Sequence, residues 1–223
     1  MTPDTTLKTA FITGTSSGLG RGLAQYLNEQ GWSVYGCSRR GCDLPGVHDR
    51  TCDLTDYDAL SGTLADLLAD VVSLDLVILN AGILGGIKTL TQTTHEEAKA
   101  VMEVNVWANK AVMDWLHMWN RPIDQIVMIS SGAAILGNKG WGGYALSKAT
   151  LNMLAKLYAH EFSQRHITAV APGIIDTAMM DYLCDEADTA EFPALARLQQ
   201  ARGTETMPGP LGAAERLVSI LPD

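Results

Sequence analysis

The strongest constraint on the fold is a repeating alternation of short apolar runs with longer amphipathic stretches. Thr9-Ala-Phe-Ile-Thr13, Ser33-Val-Tyr-Gly-Cys-Ser38, Leu74-Asp-Leu-Val-Ile-Leu79, Gln125-Ile-Val-Met-Ile-Ser130 and Ile167-Thr-Ala-Val-Ala171 have the length and composition of buried strands. A further strand, third in chain order, closes at Cys52-Asp53-Leu54. Between them, helical patterns occupy Leu19 to Gln30, Tyr57 to Val72, Thr94 to Trp119 and Gly143 to Arg165. Strands alternating with helices build a parallel sheet with helices on both faces. The expected architecture is one doubly wound α/β domain over residues 1–223, with a parallel sheet of six or seven strands. No linker, low-complexity tract or repeat divides the chain.

With 16 Lys and Arg against 25 Asp and Glu, the net charge of −9 disfavours nucleic acid and anionic membranes as partners. The N-terminus lacks a signal-peptide profile, and no apolar run approaches the roughly 20 residues that span a bilayer. A cytoplasmic protein is expected. Cys37, Cys42, Cys52 and Cys184 show no Cys-x-x-Cys spacing, and the five His are scattered, so no metal site is expected. Cys37, within an apolar run, reads as a small buried hydrophobe.

The first strand runs into Thr13-Gly14-Thr15-Ser16-Ser17-Gly18-Leu19-Gly20. Glycines there permit a tight turn and close phosphate approach, and the helix that follows offers free N–H groups. This strand–turn–helix suits a pyrophosphate and makes the domain Rossmann-type, although the spacing is Gly-x-x-x-Gly-x-Gly rather than Gly-x-Gly-x-x-Gly. About 20 residues on, an NAD site would place an acidic residue for the ribose 2′-hydroxyl. Here stands Ser38-Arg39-Arg40. Guanidinium groups pair with a 2′-phosphate, so NADP(H) is the expected cofactor, with Arg39 its favoured reader. Asp53, Leu54 and Asn80-Ala81-Gly82 close strands at the same edge, in reach of adenine and its ribose, although Asp and Asn there also serve as caps and turns.

Tyr144 and Lys148 are four residues apart on a helix and share a face. A phenol with a pKa of about 10 becomes a more useful acid and base when a neighbouring ammonium stabilises its phenolate. With 6 Tyr in the chain, such a spacing arises by chance in about one chain in five of this composition, so context must carry the reading. Ser131, thirteen positions before Tyr144 at the end of a strand, offers a hydroxyl to a substrate carbonyl. Asn105, between Val104 and Val106, is an amide in an apolar stretch that needs partners, and holding a water is one use for it.

These residues together resemble the short-chain dehydrogenase/reductase family in its compact form. The resemblance runs nearly end to end and rests on Thr13-Gly14-x-x-x-Gly18-x-Gly20, Asp53, Asn80-Ala81-Gly82, Asn105, Ser131, Tyr144-x-x-x-Lys148, and Pro172-Gly173 followed by Thr177. It implies a tetrad in which Tyr144 transfers the proton, Lys148 binds ribose and feeds a water relay through Asn105, and Ser131 orients the carbonyl. It also implies nicotinamide contacts from Ile175 and Thr177. Within the family, the stretches leading to Tyr144 and from Ala171 to Met179 look most like the sepiapterin reductase and benzil reductase branch. Family members usually continue into a seventh strand, whereas this sequence stops at Asp223, just after the helix-like Leu211 to Leu221. That leaves a homodimer through the Asn105 and Lys148 helices open and puts the family's common tetramer in doubt.

Ile83, Leu84, Leu136, Trp141, Met179, Met180 and Leu183 are candidates for the substrate pocket, and they suit a small apolar or aromatic carbonyl compound. The expected activity is NADP(H)-dependent interconversion of such a compound and its alcohol. Two alternatives compete. A dinucleotide-binding regulator without turnover would need no complete tetrad. A sugar-nucleotide-modifying enzyme shares Tyr-x-x-x-Lys but needs a larger region than the about 45 residues that follow Thr177.

Overall fold

The computed structural model describes residues 7–162, 165–186 and 190–222. Its strands are β1 (Thr9–Thr13), β2 (Ser33–Ser38), β3 (Val47–Thr51), β4 (Leu74–Leu79), β5 (Ile123–Ile129) and β6 (His166–Val170). They form one parallel sheet in the order β3-β2-β1-β4-β5-β6, the six-stranded doubly wound sheet expected from the sequence. The strand order reverses between β1 and β4, so their carboxyl ends open onto the crevice where such folds take ligands.

The helices are α1 (Gly18–Glu29), α2 (Tyr57–Leu67), α3 (His95–Met102), α4 (Ala108–Trp119), α5 (Ala133–Leu136), α6 (Gly142–Glu161), α7 (Ala178–Asp181), α8 (Ala194–Ala201) and α9 (Pro210–Ser219). Alternation along β1 divides the core. Ala10 and Ile12 join Leu23 and Leu27 of α1 and Ala214 and Leu217 of α9 on one face of the sheet. Phe11 joins Leu64 of α2, Met113 and Leu116 of α4, and Leu151 of α6 on the other. Each fully buried leucine contributes roughly 1.5–3 kcal/mol. Cys37 is wholly buried, as expected of a small apolar side chain. Helices α1 and α9 touch closely at Gly22, where a Cβ would lie 2.3 Å from Pro210 O.

The helical stretch from Thr94 to Trp119 is present but not uniform. Thr94 and Glu97 form a reciprocal capping box at the start of α3. Between α3 and α4 the helix widens into a π turn, Glu103–Trp107, which carries Asn105. The α2 helix ends at Leu67 rather than Val72, because the chain turns back and Val71 N–H bonds Leu68 O. The expected helix to Arg165 is seen as far as Glu161, and 163–164 lie outside the described residues.

A third apolar cluster stands apart from the sheet. Leu84, Met180, Leu183, Phe192, Leu195 and Met207 pack together beside Trp141 and Tyr144, forming a flap over the crevice from α7, a second π turn at Tyr182–Glu186, and α8. Among the described residues no helix is long and apolar enough to cross a membrane.

Candidate active site

The carboxyl ends of β1 and β4 are locked together. Thr13 Oγ1 accepts the N–H groups of Asn80 and Ala81 at 3.0 and 3.1 Å, while Asn80 Nδ2 donates to Thr13 O at 3.0 Å. Asn80 thus braces the glycine turn with its side chain. Gly14 adopts φ 80° and Gly18 φ 56°, left-handed conformations that favour glycine. A Cβ on Gly20 would sit 2.2 Å from Gly14 O and 2.3 Å from Asn80 Nδ2. Gly20 therefore packs behind the turn and does not line the cleft. Ser17 caps α1 in an extended conformation without a side-chain cap bond, so its hydroxyl does not satisfy the first-turn N–H groups.

At the end of β2, Arg40 donates to Ser17 Oγ at 2.9 Å and to Ser16 Oγ at 3.4 Å. Arg39 faces Asp53, whose carboxyl is held below its usual value chiefly by hydrogen bonds from Thr55, with Arg39 adding a smaller attraction. Ser38 Oγ is buried without a partner. Below them, Asp49 of β3 accepts from Thr15 Oγ1 at 2.7 Å and from Cys42 N–H at 2.9 Å, and burial pushes its carboxyl up. In sequence Thr13 reads only as the first residue of the glycine motif, not as the brace of the turn, and Asp49 is missed, because a carboxylate on a strand carries no motif of its own.

Helix α6 brings Tyr144 and Lys148 to one wall of the crevice, opposite the glycine turn. Lys148 is 3% exposed and its Nζ donates to Ile129 O at 2.7 Å. Burial lowers its pKa from the ordinary 10.5 to about 8. The ammonium lies 5.7 Å from the centre of the Tyr144 ring. Burial raises the Tyr144 hydroxyl above its ordinary value, and a hydrogen bond from Ser131 opposes that shift. In the free protein, then, Tyr144 holds its proton.

Asn105 is wholly buried. Its Oδ1 accepts Ile83 N–H at 2.8 Å, and its Nδ2 donates to Ile83 O at 2.8 Å and to Ser147 Oγ at 2.9 Å. Both amide hydrogens are thereby committed to protein partners. Its main-chain oxygen accepts Asn109 Nδ2 at 2.8 Å.

One cleft of about 820 Å³ joins the glycine turn to Tyr144 and Lys148, and Asn105 lies behind its wall rather than on it. Of the residues expected to touch the cofactor, Gly14, Ser16, Ser17, Gly18, Leu19, Ser38, Arg39, Arg40, Asp53, Leu54, Asn80, Ala81, Gly82, Pro172, Gly173, Ile175 and Thr177 line it, beside Ser131, Tyr144 and Lys148. Ile83, Trp141, Met179, Met180 and Leu183 line its other end. Two substrate candidates do not. Leu136 is 65% exposed, because α5 is a single turn that projects from the sheet edge. Leu84 points into the core of the flap. Leu198 and Pro210 line the cleft without having been foreseen, since nothing in the sequence near them places α8 and the start of α9 over it.

Residues 8–188 match the sequence model of the short chain dehydrogenase family. The chain is 32% identical over 231 residues to the 3-oxoacyl-(acyl-carrier-protein) reductase FabG of Salmonella typhimurium, covering 96% of this chain and 88% of that protein. A crystal structure of a short chain dehydrogenase/reductase from Saccharomyces cerevisiae superposes with a TM-score of 0.80 at 22% identity, covering 97% of this chain and 92% of that one. The structure of ElxO with NADP bound gives 0.78 at 22% identity, with 98% and 92% covered.

Proposed function

Because the chain belongs to the short-chain dehydrogenase/reductase family, we propose that it is an NADP(H)-dependent oxidoreductase that interconverts a small apolar carbonyl compound and its alcohol. The observation that carries this reading is the meeting of Ser131, Tyr144 and Lys148 in the cleft that the glycine turn opens. Three features fit the cofactor. A Gly14 side chain would meet Asn80 and Ala81 at 2.9 and 3.0 Å, so only glycine lets the turn pack this closely on the end of β4, at the rim of the cleft where a phosphate would lie. The orphaned Ser38 hydroxyl and the two arginines beside it suit a ribose 2′-phosphate, read by Arg39 with Arg40 across the turn. ElxO, a fold neighbour, is seen with NADP bound.

When bound, the nicotinamide supplies or accepts the hydride. Ser131 orients the substrate carbonyl through its hydroxyl, and Tyr144 donates its proton to the carbonyl oxygen as charge develops there. Burial keeps Tyr144 protonated and so ready for reduction. Lys148 has donors left beyond its bond to Ile129 O, and these hold ribose and steady the phenolate after transfer. The Asn105 amide positions Ile83 and α6; a relay water bonds Lys148 and the remaining lone pair of the Asn105 main-chain oxygen.

In this reading four free cysteines accord with a reducing cytoplasm. Exposed Leu146, Met153 and Leu157 on α6 supply the face through which a homodimer would pair.

The test is NADPH absorbance followed against diketones, aromatic aldehydes and quinones. Turnover that prefers NADPH over NADH is expected. Tight NADPH binding without oxidation across the panel would favour a regulatory binding module instead.

A further inference from the structure

The two ends of the cleft differ in charge. Arg39 and Arg40 stand at the cofactor end. At the substrate end the walls are Ile83, Ile174, Met179, Met180, Leu183 and Leu198, and the cation among the lining residues there is Lys148. Lys148 bonds Ile129 O and, in the reading above, gives its remaining donors to ribose and a relay water, so it is not available to a substrate carboxylate.

Three of the cations around the mouth are paired, and among the described residues Arg197, exposed on α8, is the one there without an ion pair. Lys88, whose strand-like segment bridges Trp141, pairs with Glu97 at 2.6 Å. Lys139 lies over the Phe192 ring and pairs with Glu191 at 3.5 Å. Arg202, at the end of α8, bonds Asp185 at 2.8 Å and also Asp181, on either side of the cleft-lining Leu183. In sequence, 176–205 holds seven Asp and Glu against two Arg, a net −5 out of the chain's −9. The described part of that stretch includes the flap, which carries Asp181, Asp185 and Glu191 and stands over the most apolar part of the cleft.

We propose that the substrate end selects uncharged carbonyl compounds free in solution and rejects anionic ones, including acyl groups delivered on an acidic carrier protein. The proposal rests on the carbonyl reduction inferred above. An anion approaching the mouth meets a field of its own sign, which lowers its local concentration. Once inside, a carboxylate loses water among hydrocarbon walls with no cation to replace it, an arrangement proteins avoid. The FabG relative is named for a substrate on acyl-carrier protein. Among the described residues the mouth offers one cation without an ion pair, Arg197, rather than a basic patch to receive such a carrier.

The experiment compares NADPH oxidation by the full-length protein on a series of aryl and alkyl ketones, each with a remote methyl ester or the matching carboxylate; methyl 4-acetylbenzoate and 4-acetylbenzoate are one pair. At about 20 mM salt the esters are expected to exceed the acids at least about tenfold in kcat/KM. Raising salt to about 0.5 M should lift the acids severalfold and leave the esters unchanged, because screening weakens the repulsion. Acids turned over as well as their esters would overturn the proposal while leaving the reductase reading intact. NADPH binding without oxidation by any ester of the series would overturn that reading and the proposal together.

Discussion

Asn105 Nδ2 donates to Ser147 Oγ across 2.9 Å, and Ser147 Oγ donates in turn to Tyr144 O at 2.7 Å, so the π turn is joined directly to the first turn of α6. Replacing Asn105 by Ala would leave the part-buried N–H and C=O of Ile83 without their partners, at about 1–3 kcal/mol each. The Asn105→Ala variant is expected to lose about 2–5 kcal/mol in urea unfolding together with most of its turnover, whereas Ser147→Ala, which removes the bonds to Asn105 and Tyr144 but leaves Ile83 held, loses about 1–3 kcal/mol. Equal stability of Asn105→Ala and the parent would contradict this assignment.

Lys148 makes stability and activity pull in opposite directions. Its pKa falls from 10.5 in an unfolded chain to about 8 when folded, so the unfolded state binds more protons between those values. Stability contributed by this group therefore rises with pH from about 8 to about 10.5, and the cost of burying the charge is complete below about 8. That cost is on the order of 3 kcal/mol. Lys148→Met is expected to raise the Tm at neutral pH, lose the alkaline gain, and abolish turnover. In the parent protein, kcat/KM for reduction should fall above pH of about 8 as the free enzyme loses the ammonium. A lower Tm for Lys148→Met would count against the buried charge.

Two glycines allow a controlled comparison. At Gly20 a Cβ meets backbone at 2.2 Å, whereas at Gly62, within α2, it meets nothing within 4 Å. Gly20→Ala should cost at least about 2 kcal/mol and weaken NADPH binding, since Gly14 and Asn80 must move apart. Gly62→Ala should stabilise by about 0.5–1 kcal/mol through helix propensity. Thermal unfolding of both variants reads the difference, and similar Tm values would refute it.

Asp49 ties the turn after β1 to the loop after β2 through Thr15 and Cys42. Those two segments carry Ser16, Ser17, Arg39 and Arg40. Asp49→Ala is expected to raise the KM for NADPH severalfold with kcat retained, because the phosphate-holding segments lose their common anchor. A fall in kcat with unchanged KM would mark a loss of folded protein instead.

Much of this architecture was legible because it depends on local pattern. The apolar runs of β1, β4 and β5 are buried on both faces, and burial of that kind leaves an unmistakable composition. β3 was marked only by its end, since Val47–Thr51 is a half-exposed edge strand with little apolar signal. The residues proposed to hold the cofactor sit within a few positions of strand ends, so topology alone brings them together. The flap did not yield to the same reasoning. Whether Leu136, Leu84 or Leu198 faces the cleft depends on how α5, α8 and the loops between them pack, and short segments without periodicity do not encode that in sequence. The Asn105 amide was recognised as needing partners, but the π turn that carries it and its bonds to Ile83 and Ser147 are features of the folded chain.

The central claim is that Tyr144 is the proton donor, and the direct test is steady-state NADPH oxidation by Tyr144→Phe with a carbonyl substrate that the parent reduces. Phe keeps the ring in place and removes the hydroxyl that Ser131 contacts. The account predicts a loss of kcat of about 100-fold or more with the NADPH Kd little changed. Turnover within a few-fold of the parent would contradict it and move the proton transfer to another group.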